Sequence, residues 1–572
     1  MQDKMKEKNI FGEKINEFLK KRSLQNFPVT PTPSINSGQA EVEGFHRQKY
    51  PDSVRCNRTG FRNFFYCILL LCALAACNHP EKREPAILKA GDFEHYATYF
   101  NRMEDENIKQ AIPNDSAWTW MKANIPLFEC PQDNFEELYY YRWWSVRKHI
   151  KNTPQGYAVT EFLVERSYAD KYNLISCALG HHIHELRWLH NPEYLDQNVH
   201  LWYRGKDGGR MNKLRSFSSW TASSLYDRYL VDGDKEFLLD MFPDLVDEYK
   251  AWEGDRRRPD GLFWQYDVKD GMEESLSGSR HEKNARPTIN SYMFGNARAI
   301  AKMAEMKGET ELVGLYEAKA DTLRRLVQQK LWNPADRFFE TNKEADSSAN
   351  VREAIGFIPW YFNLPEQGKG YETAWQQVKD EEGFLAPFGL TTAERRSPRF
   401  RTHGTGTCEW DGAVWPFATS QTMTAMANVL NHYRQEYVDQ EDYFTLMNLY
   451  VESQYYRGRP YIGEYLDETT GYWLMGDRER SRYYNHSTFN DLIITGLVGL
   501  RPRADEKIEI NPLIPEEKWD WFCLDNVLYH GYYLTILWDR TGEKYGKGKG
   551  LRIFRNGKEI AASEKLERIV TE

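Results

Sequence analysis

The feature that most constrains the fold is a series of amphipathic stretches that follow one another in pairs. In each stretch apolar residues recur every three or four positions, the spacing that lines one face of an α-helix. Such a series predicts a mostly α fold, an (α/α)6 barrel in which paired helices form two concentric rings. The stretches lie at residues 135–150 with 161–189, 215–231 with 235–252, 289–307 with 310–331, 351–363 with 368–380, 414–433 with 438–457, and a last one at 484–499.

Beyond residue 503 the pattern changes from helical spacing to alternation. The segments VLYHGYYLTILWD and GLRIFRNGKEIA alternate apolar and polar residues, and Asn556-Gly557 is the signal of a two-residue hairpin turn. The sequence therefore predicts a barrel domain over residues 78–503 and a small C-terminal β module over residues 504–572. We expect the module to brace the barrel.

The first 77 residues resemble neither region. Residues 1–54 show no sustained apolar period, and we expect them to be disordered or an extension upstream of the true start. Over residues 55–77, arginines precede an apolar run that ends in Leu-Ala-Ala-Cys, the pattern of a bacterial lipoprotein signal. We expect a lipid on Cys77 and an exported protein at an outer-membrane, cell-surface or periplasmic face. A buried core helix is the alternative interpretation of the run.

The composition of the chain limits the classes of molecule that it is expected to bind. The formal net charge of −9 argues against nucleic acid. Aromatic residues make up 14% of the chain, with 18 Trp and 35 Tyr, and aromatic faces stack on sugar rings. Carbohydrate is therefore the predicted substrate class, although packing of large helices would also use such residues.

No cofactor is expected. The sequence contains no GxGxxG, no P-loop and no GxSxG elbow. The cysteines outside the leader lack CxxC spacing, which indicates neither a zinc cluster nor a dense disulfide framework, although two of them could pair in an exported protein. A histidine cluster at residues 181–184 is expected to pack within a helix rather than to bind metal. Calcium would be compatible with the chain, but no ligand set identifies a site.

One acidic loop suits general acid catalysis. Four acids fall within eight residues beside Trp264, and in a closed pocket their repulsion raises the pKa of at least one. A raised carboxyl pKa lets the group protonate a departing oxygen near neutral pH. A solvated loop or a calcium site is the alternative. The acids are Asp267, Asp270, Glu273 and Glu274.

A second carboxylate, Glu464, lies in a loop with Tyr461, Tyr465 and Trp473. It could act as a general base or hold a sugar hydroxyl. Glycoside hydrolysis uses two carboxyl groups on opposite sides of the scissile bond. Because Glu273 and Glu464 belong to separate long loops that a barrel would bring to one mouth, we predict that they form this pair.

Three segments resemble motifs of glycoside hydrolase family 63, which includes mannosylglycerate hydrolases. EWDGAVWP at residues 409–416 resembles the family's W-R-G-P-I-W-P, and EYLDETTG at residues 464–471 resembles its E-x-[YF]-x-P-x-T-G. DGMEES at residues 270–275 resembles its S-G-x-D-x-S. The segments occur in the family's order at similar separations.

The resemblance implies an (α/α)6 barrel that hydrolyses α-glycosidic bonds with inversion. It places Glu273 at the general-acid position and Glu464 at the general-base position. An inverting pair stands roughly 6.5–9.5 Å apart, so that a water molecule fits between them. Two departures matter: the family's acid is usually Asp, so Glu274 stays an alternative, and Asp411 stands where the family often has Arg.

Further residues are predicted to bind the substrate, although core packing is the alternative for each of them. Two other functions also stay open. A polysaccharide lyase or epimerase on an α/α toroid would use Tyr483 and His486, and a non-catalytic surface glycan-binding lipoprotein would need neither carboxylate. The predicted substrate-binding residues are Arg142, Trp220, Trp264, Asn290, Trp410, Asp411 and Trp415.

Overall fold

The computed structural model describes residues 87–404, 406 and 408–572. The predicted extension, the lipoprotein signal and Cys77 lie outside these residues. Within them, no helix combines the length and the apolar character that crossing a membrane requires. Their α-helices, numbered α1 to α14, are Glu94–Asn101, Ala117–Asn124, Asp133–Arg147, Leu179–Leu186, Glu193–Arg204, Thr221–Asp232, Lys235–Arg256, Asp267–Asp270, Pro287–Lys307, Thr310–Lys330, Ile358–Tyr361, Pro416–His432, Gln440–Ser453 and Asn490–Leu492.

The helices form two concentric rings. Helices α4, α6, α9, α11, α12 and α14 each contact the next in this order, and α14 contacts α4 again, which closes the inner ring. The outer ring consists of α3, α5, α7, α10, the 3-10 helix Tyr371–Val378 and α13. The prediction of an (α/α)6 barrel is therefore confirmed.

Local sequence sets where the inner helices begin and end. Proline occupies the first turn of α9 and of α12, where its missing N–H costs no hydrogen bond. Gly233 ends α6 and Gly308 ends α9, both in the left-handed conformation that favours glycine. Asp439 and Asp442 form a reciprocal capping box at the start of α13.

The structure corrects several predicted helix bounds. Of the stretch 161–189, only α4 and the 3-10 turn Ser176–Ala178 before it form a continuous helix. An earlier 3-10 turn, Lys171–Asn173, is interrupted by the positive φ of Tyr172. The stretch 351–363 is a 3-10 turn followed by four residues of α11, and 484–499 becomes helical only from Asn490 and continues as the π-turn Ile493–Leu497. Helix α5 was not among the predicted stretches.

The C-terminal residues form an antiparallel sheet in the order β1-β12-β13-β14-β15. Strands β14 and β15 are joined by the predicted two-residue turn, in which Asn556 and Gly557 both have positive φ. Strand β1 comes from the N-terminal side of the barrel and pairs with β12. Strands β1 to β16 are Leu127–Glu129, Ile150–Thr153, Gly156–Val159, Trp332–Asn333, Phe338–Phe339, Leu385–Ala386, Gly389–Leu390, Tyr455–Tyr456, Arg459–Pro460, Leu500–Arg501, Glu509–Ile510, Trp521–Tyr529, Tyr532–Asp539, Gly550–Arg555, Lys558–Ser563 and Ile569–Val570.

Candidate active site

The segment before α12 and the loop that carries Glu464 are joined by a short β-bridge. Val414 and Leu466 exchange two backbone hydrogen bonds of 3.0 Å. Arg401 adds a second link, because one of its guanidinium nitrogens lies 2.7 Å from Glu409 and another lies 2.8 Å from Glu468. The two segments that resemble family 63 are therefore held side by side.

Three stacked aromatic rings lie next to Glu464. Trp410 stacks on Trp415 with ring centroids 4.5 Å apart, and Trp415 stacks on Tyr465 at the same separation. Gly463 has no room for a side chain, since a Cβ there would lie 2.6 Å from the Tyr461 ring. The structure thus brings together the predicted binding residues Trp410 and Trp415 with the predicted base.

Glu464 is buried, with 3% of its surface exposed. Burial raises the pKa of its carboxyl to about 7, while the charges of Arg480, Arg166 and Arg478 act in the opposite direction. The guanidinium of Arg480 lies 3.0 Å from the carboxylate. The ionised form of Glu464 is therefore stabilised by a neighbouring guanidinium group and destabilised by the low exposure of the residue to solvent.

Glu273 lies after α8 and is partly buried. Burial raises the pKa of its carboxyl to about 7, and the negative charges of Glu464 and Asp267 contribute to the rise. Burial raises the pKa of the Cys408 thiol, and the charges of Glu273 and Glu464 raise it further. Glu273 and Glu464, each with a raised pKa, therefore interact electrostatically, and both also interact with the thiol of Cys408.

A third carboxyl, Glu161, belongs to this group and was not predicted. Burial raises its pKa to about 8, and the charges of Glu464 and Glu273 contribute to the rise. Its residue is 5% exposed. The only signal in the sequence was an acid among apolar residues two positions after a hairpin, and the predicted helix over 161–189 concealed it.

The neighbouring acids of the 267–274 loop have other partners. Asp270 is fully buried and accepts hydrogen bonds from Arg286 Nε and Ser218 Oγ, both at 2.6 Å, and from the Thr288 hydroxyl. Glu274 is more exposed and pairs with Arg280 at 2.8 Å. Glu273 is therefore the loop acid that combines burial with a raised pKa.

Asp411 and His181 present unpaired polar atoms. Asp411 is fully buried; Oδ2 accepts from the backbone N–H of His403 at 2.9 Å, and Oδ1 has no hydrogen-bond partner among the described residues. Neither ring nitrogen of His181 has a partner in the described part of the chain, although its ring packs 4.5 Å from Phe417. Unpaired buried polar atoms are costly, and ligand groups can satisfy them.

Two predicted binding residues are engaged within the protein. Arg142 donates from Nε to Glu185 at 3.0 Å and from Nη2 to Asn485 at 2.9 Å. Asn290 accepts from the N–H of Phe263 at 2.8 Å and donates to two backbone carbonyl groups. Both side chains connect segments of the barrel, and their predicted sugar contacts stay predictions.

The other two predicted binding residues lie in different surroundings. Trp220 is fully buried, and its ring packs 5.0 Å from the ring of His181. Trp264 lies between two cations, with the Arg256 guanidinium 4.4 Å and the Lys283 ammonium 5.2 Å from its ring centroid. Trp264 therefore does not join the stack of Trp410, Trp415 and Tyr465.

Among the described residues, no group of three or more His, Cys, Asp or Glu side chains could hold a metal ion. The neighbours of His181 use their rings in packing: His182 bonds to the carbonyl of Asn485 at 2.6 Å, and His184 bonds to the Tyr361 hydroxyl at 2.9 Å. The four described cysteines, Cys130, Cys177, Cys408 and Cys523, are free thiols.

Comparison with solved structures found proteins that are similar to this chain to different degrees. A protein named sialidase is 66% identical, with a TM-score of 0.85; the match covers 86% of this chain and 45% of the sialidase, so this chain spans less than half of that relative. A family 78 rhamnosidase of Bacillus sp. GL1 is 12% identical with a TM-score of 0.54, covering 75% of this chain and 41% of the rhamnosidase. A family 63 mannosylglycerate hydrolase of Thermus thermophilus is 14% identical with a TM-score of 0.48, covering 62% of this chain and 99% of the hydrolase.

Sequence profiles assign both parts of the chain. Residues 500–562 match the C-terminal domain of glycosyl hydrolase family 65. Residues 171–487, which include Glu273 and Glu464, match the mannosylglycerate hydrolase MGH1-like glycoside hydrolase domain. The resemblance inferred from the three motifs is confirmed. Since this match spans more than half of the chain, the protein belongs to the MGH1-like glycoside hydrolase family.

Proposed function

We propose that the protein cleaves an α-linked glycan or glycoside with inversion, using Glu273 as the general acid and Glu464 as the general base. The observation that carries the proposal is the pair itself: two carboxyl groups, each with its pKa raised to about 7, interact beside an aromatic stack. An acid and a base that work near neutral pH need pKa values in this range.

The surrounding charges support the assignment of roles. Arg480, 3.0 Å from Glu464, favours the ionised form of that carboxyl. The negative charge on Glu464 in turn favours the protonated form of Glu273. When the pair shares one proton, that proton therefore resides on Glu273, as an acid and base pair requires.

In the proposed reaction, Glu464 removes a proton from a water molecule as its oxygen attacks the anomeric carbon. Glu273 gives its proton to the glycosidic oxygen as the bond between that oxygen and the anomeric carbon breaks. Attack from the side opposite the leaving group inverts the anomeric centre. The Trp410, Trp415 and Tyr465 rings would bind the sugar, and Asp411 Oδ1 would accept a hydrogen bond from one of its hydroxyls.

The test is hydrolysis of 4-nitrophenyl α- and β-glycosides of glucose, mannose and rhamnose, an aryl sialoside, and glycan fragments by the full chain. The sialoside is included because a 66% identical relative carries the name sialidase. Product anomers are followed by proton NMR. We expect inversion on one α-glycoside, and a loss of about 10³-fold in kcat for Glu273→Gln and for Glu464→Gln.

Glu274→Gln is the matched control, because Glu274 is the adjacent acid and pairs with Arg280. We expect it to retain kcat within about threefold. Retention of configuration, or loss of activity in Glu274→Gln with a fully active Glu273→Gln, would contradict the assignment. The lyase alternative is less favoured, because the Tyr483 hydroxyl donates to Glu104 at 2.7 Å.

We also propose that the protein is exported and anchored by a lipid on Cys77, on the strength of the motif over residues 55–77. Expression of the full chain in a bacterium fed a radioactive fatty acid tests this. The label should enter the wild type and the control Cys72→Ala but not Cys77→Ala. Equal labelling of all three, or none in the wild type, would contradict the anchor.

A further inference from the structure

Glu161 is placed by backbone contacts on both sides of it. It lies two residues after strand β3, and its carbonyl oxygen accepts a hydrogen bond of 3.0 Å from the N–H of Asn485. The neighbouring residue Tyr484 also interacts electrostatically with the Glu161 carboxyl group. Glu161 therefore lies beside the segment that leads into α14, the helix that closes the inner ring.

The groups that face this side chain belong to the candidate active site. Burial raises the pKa of Glu161, and the charges of Glu464 and Glu273 raise it further. Burial likewise raises the pKa of Tyr168, of Tyr484 and of the Cys177 thiol, and the charge of Glu161 adds to each rise. The positive charge of Arg166 lowers the pKa of Glu464 and of Tyr168. Three carboxyl groups from three separate segments therefore lie within electrostatic range of one another.

One oxygen of Glu161 is unused by the protein. Oε2 is buried and has no hydrogen-bond partner among the described residues. Leaving such an atom unpaired typically costs about 1–3 kcal/mol, and a bound hydroxyl group would remove that cost. Asp270, in contrast, satisfies both of its oxygens with Arg286, Ser218 and Thr288.

We propose that Glu161 is a substrate-binding residue of the active site, whose Oε2 binds one hydroxyl group of the sugar held between Glu273 and Glu464. This inference rests on the proposed function of that site. Sugar hydroxyls both donate and accept hydrogen bonds, so either protonation state of the carboxyl can serve. With its pKa raised to about 8, the carboxyl is protonated at neutral pH and donates.

The experiment crosses variants of the enzyme with variants of the substrate. The aryl glycoside that the wild-type full chain cleaves is compared with its monodeoxy analogues, each of which lacks one of the free hydroxyl groups of that sugar. Each is assayed with the wild type, Glu161→Ala and Glu161→Gln. Glu248→Gln is the control. Glu248, on the outer helix α7, is also buried but pairs with Arg210 and Arg215.

We expect Glu161→Ala to lower kcat/KM about 10²-fold, and Glu161→Gln, which keeps a donor and an acceptor, to recover about tenfold of that loss. For one deoxy analogue, the wild type should lose about 10²-fold and Glu161→Ala should lose no more. Glu248→Gln should show the wild-type pattern with every analogue.

Two results overturn the inference in different ways. If the wild type is active and the losses from Glu161→Ala and from each missing hydroxyl simply multiply, Glu161 contacts no hydroxyl, and only this inference fails. If Glu161→Ala matches the wild type in kcat/KM, it fails likewise. If the wild type cleaves no glycoside of the panel, the proposed function fails and takes this inference with it.

Discussion

Two sets of buried carboxyl groups in this barrel differ in how the protein treats their charge. Asp270 is bound by Arg286, and Glu185 by Arg142 and three backbone N–H groups near the start of α14. Glu161, in contrast, leaves one oxygen unpaired among the described residues. The first set joins segments of the barrel to one another, whereas the second faces a place that another molecule would fill.

This difference distinguishes the acids that join segments of the barrel from those that we propose to be functional, which burial alone does not. A buried carboxylate with a buried guanidinium and several donors is a cross-link. A buried carboxyl with few donors keeps a raised pKa and stays available for proton transfer. Asp270 and Glu273 are three residues apart in the sequence, yet they fall into different sets.

The largest effect should come from breaking a cross-link. Arg286→Ala leaves Asp270 buried without its cation, and removing one partner of a buried pair typically costs about 3–5 kcal/mol. Urea denaturation of the full chain should therefore give a free energy of unfolding lower by about that amount. Arg280→Ala removes only the partly exposed pair with Glu274 and should change it by less than about 1 kcal/mol. If both variants lowered the free energy of unfolding equally, the proposed difference between the two sets of carboxyl groups would be contradicted.

The opposite result is expected for the functional set. The pKa of Glu464 is about 7 in the folded protein and 4.5 unperturbed, so its ionised form destabilises the fold. This penalty is complete above about pH 7 and vanishes as the pH falls below about 4.5. Glu464→Gln should thus raise the free energy of unfolding by about 3 kcal/mol at pH 8 and by almost nothing at about pH 4.5. A loss of stability at pH 8 would assign Glu464 to the structural set.

A smaller effect should distinguish the cations around Glu464. Arg480→Gln removes the strongest of the charges that lower the pKa of this carboxyl, so the pKa should rise. A base must be ionised, and the acidic limb of the kcat profile should therefore move upward by about one pH unit. Arg478→Gln, whose charge acts more weakly on Glu464, should move it less. An unmoved limb in Arg480→Gln would show that Glu464 is not the titrating base.

The sequence alone predicted those features of the molecule that local patterns determine. The helix spacing predicted the barrel, the Asn556-Gly557 turn predicted a hairpin, and ordered motifs identified the family. The roles of Glu273 and Glu464 stay predictions, although the structure brings the two residues into electrostatic contact. All of these depended on residues close together in the chain or on recognisable segments.

The features that the sequence did not predict depend on contacts between segments that lie far apart in the chain. Folding joins the backbone of Glu161 to that of Asn485, 324 residues later in the chain, and brings Glu161 within electrostatic range of Glu464. Asn290 and Arg142 looked like sugar ligands by residue type, but their partners are backbone and side chains brought near by folding. No local pattern states whether a polar side chain will find its partner inside the protein.

The sheet contains a contact that sets an order of events during synthesis. Strand β1 pairs with residues 523–525 of β12, and Asp525 accepts hydrogen bonds from the N–H groups of Ile87 and Leu88, with Ile87 lying 438 residues earlier in the sequence. A ribosome adding roughly 5–20 residues per second needs tens of seconds to make that interval. For that time β1 has an unsatisfied edge, so the nascent chain waits for its own last strands or for a chaperone to cover it.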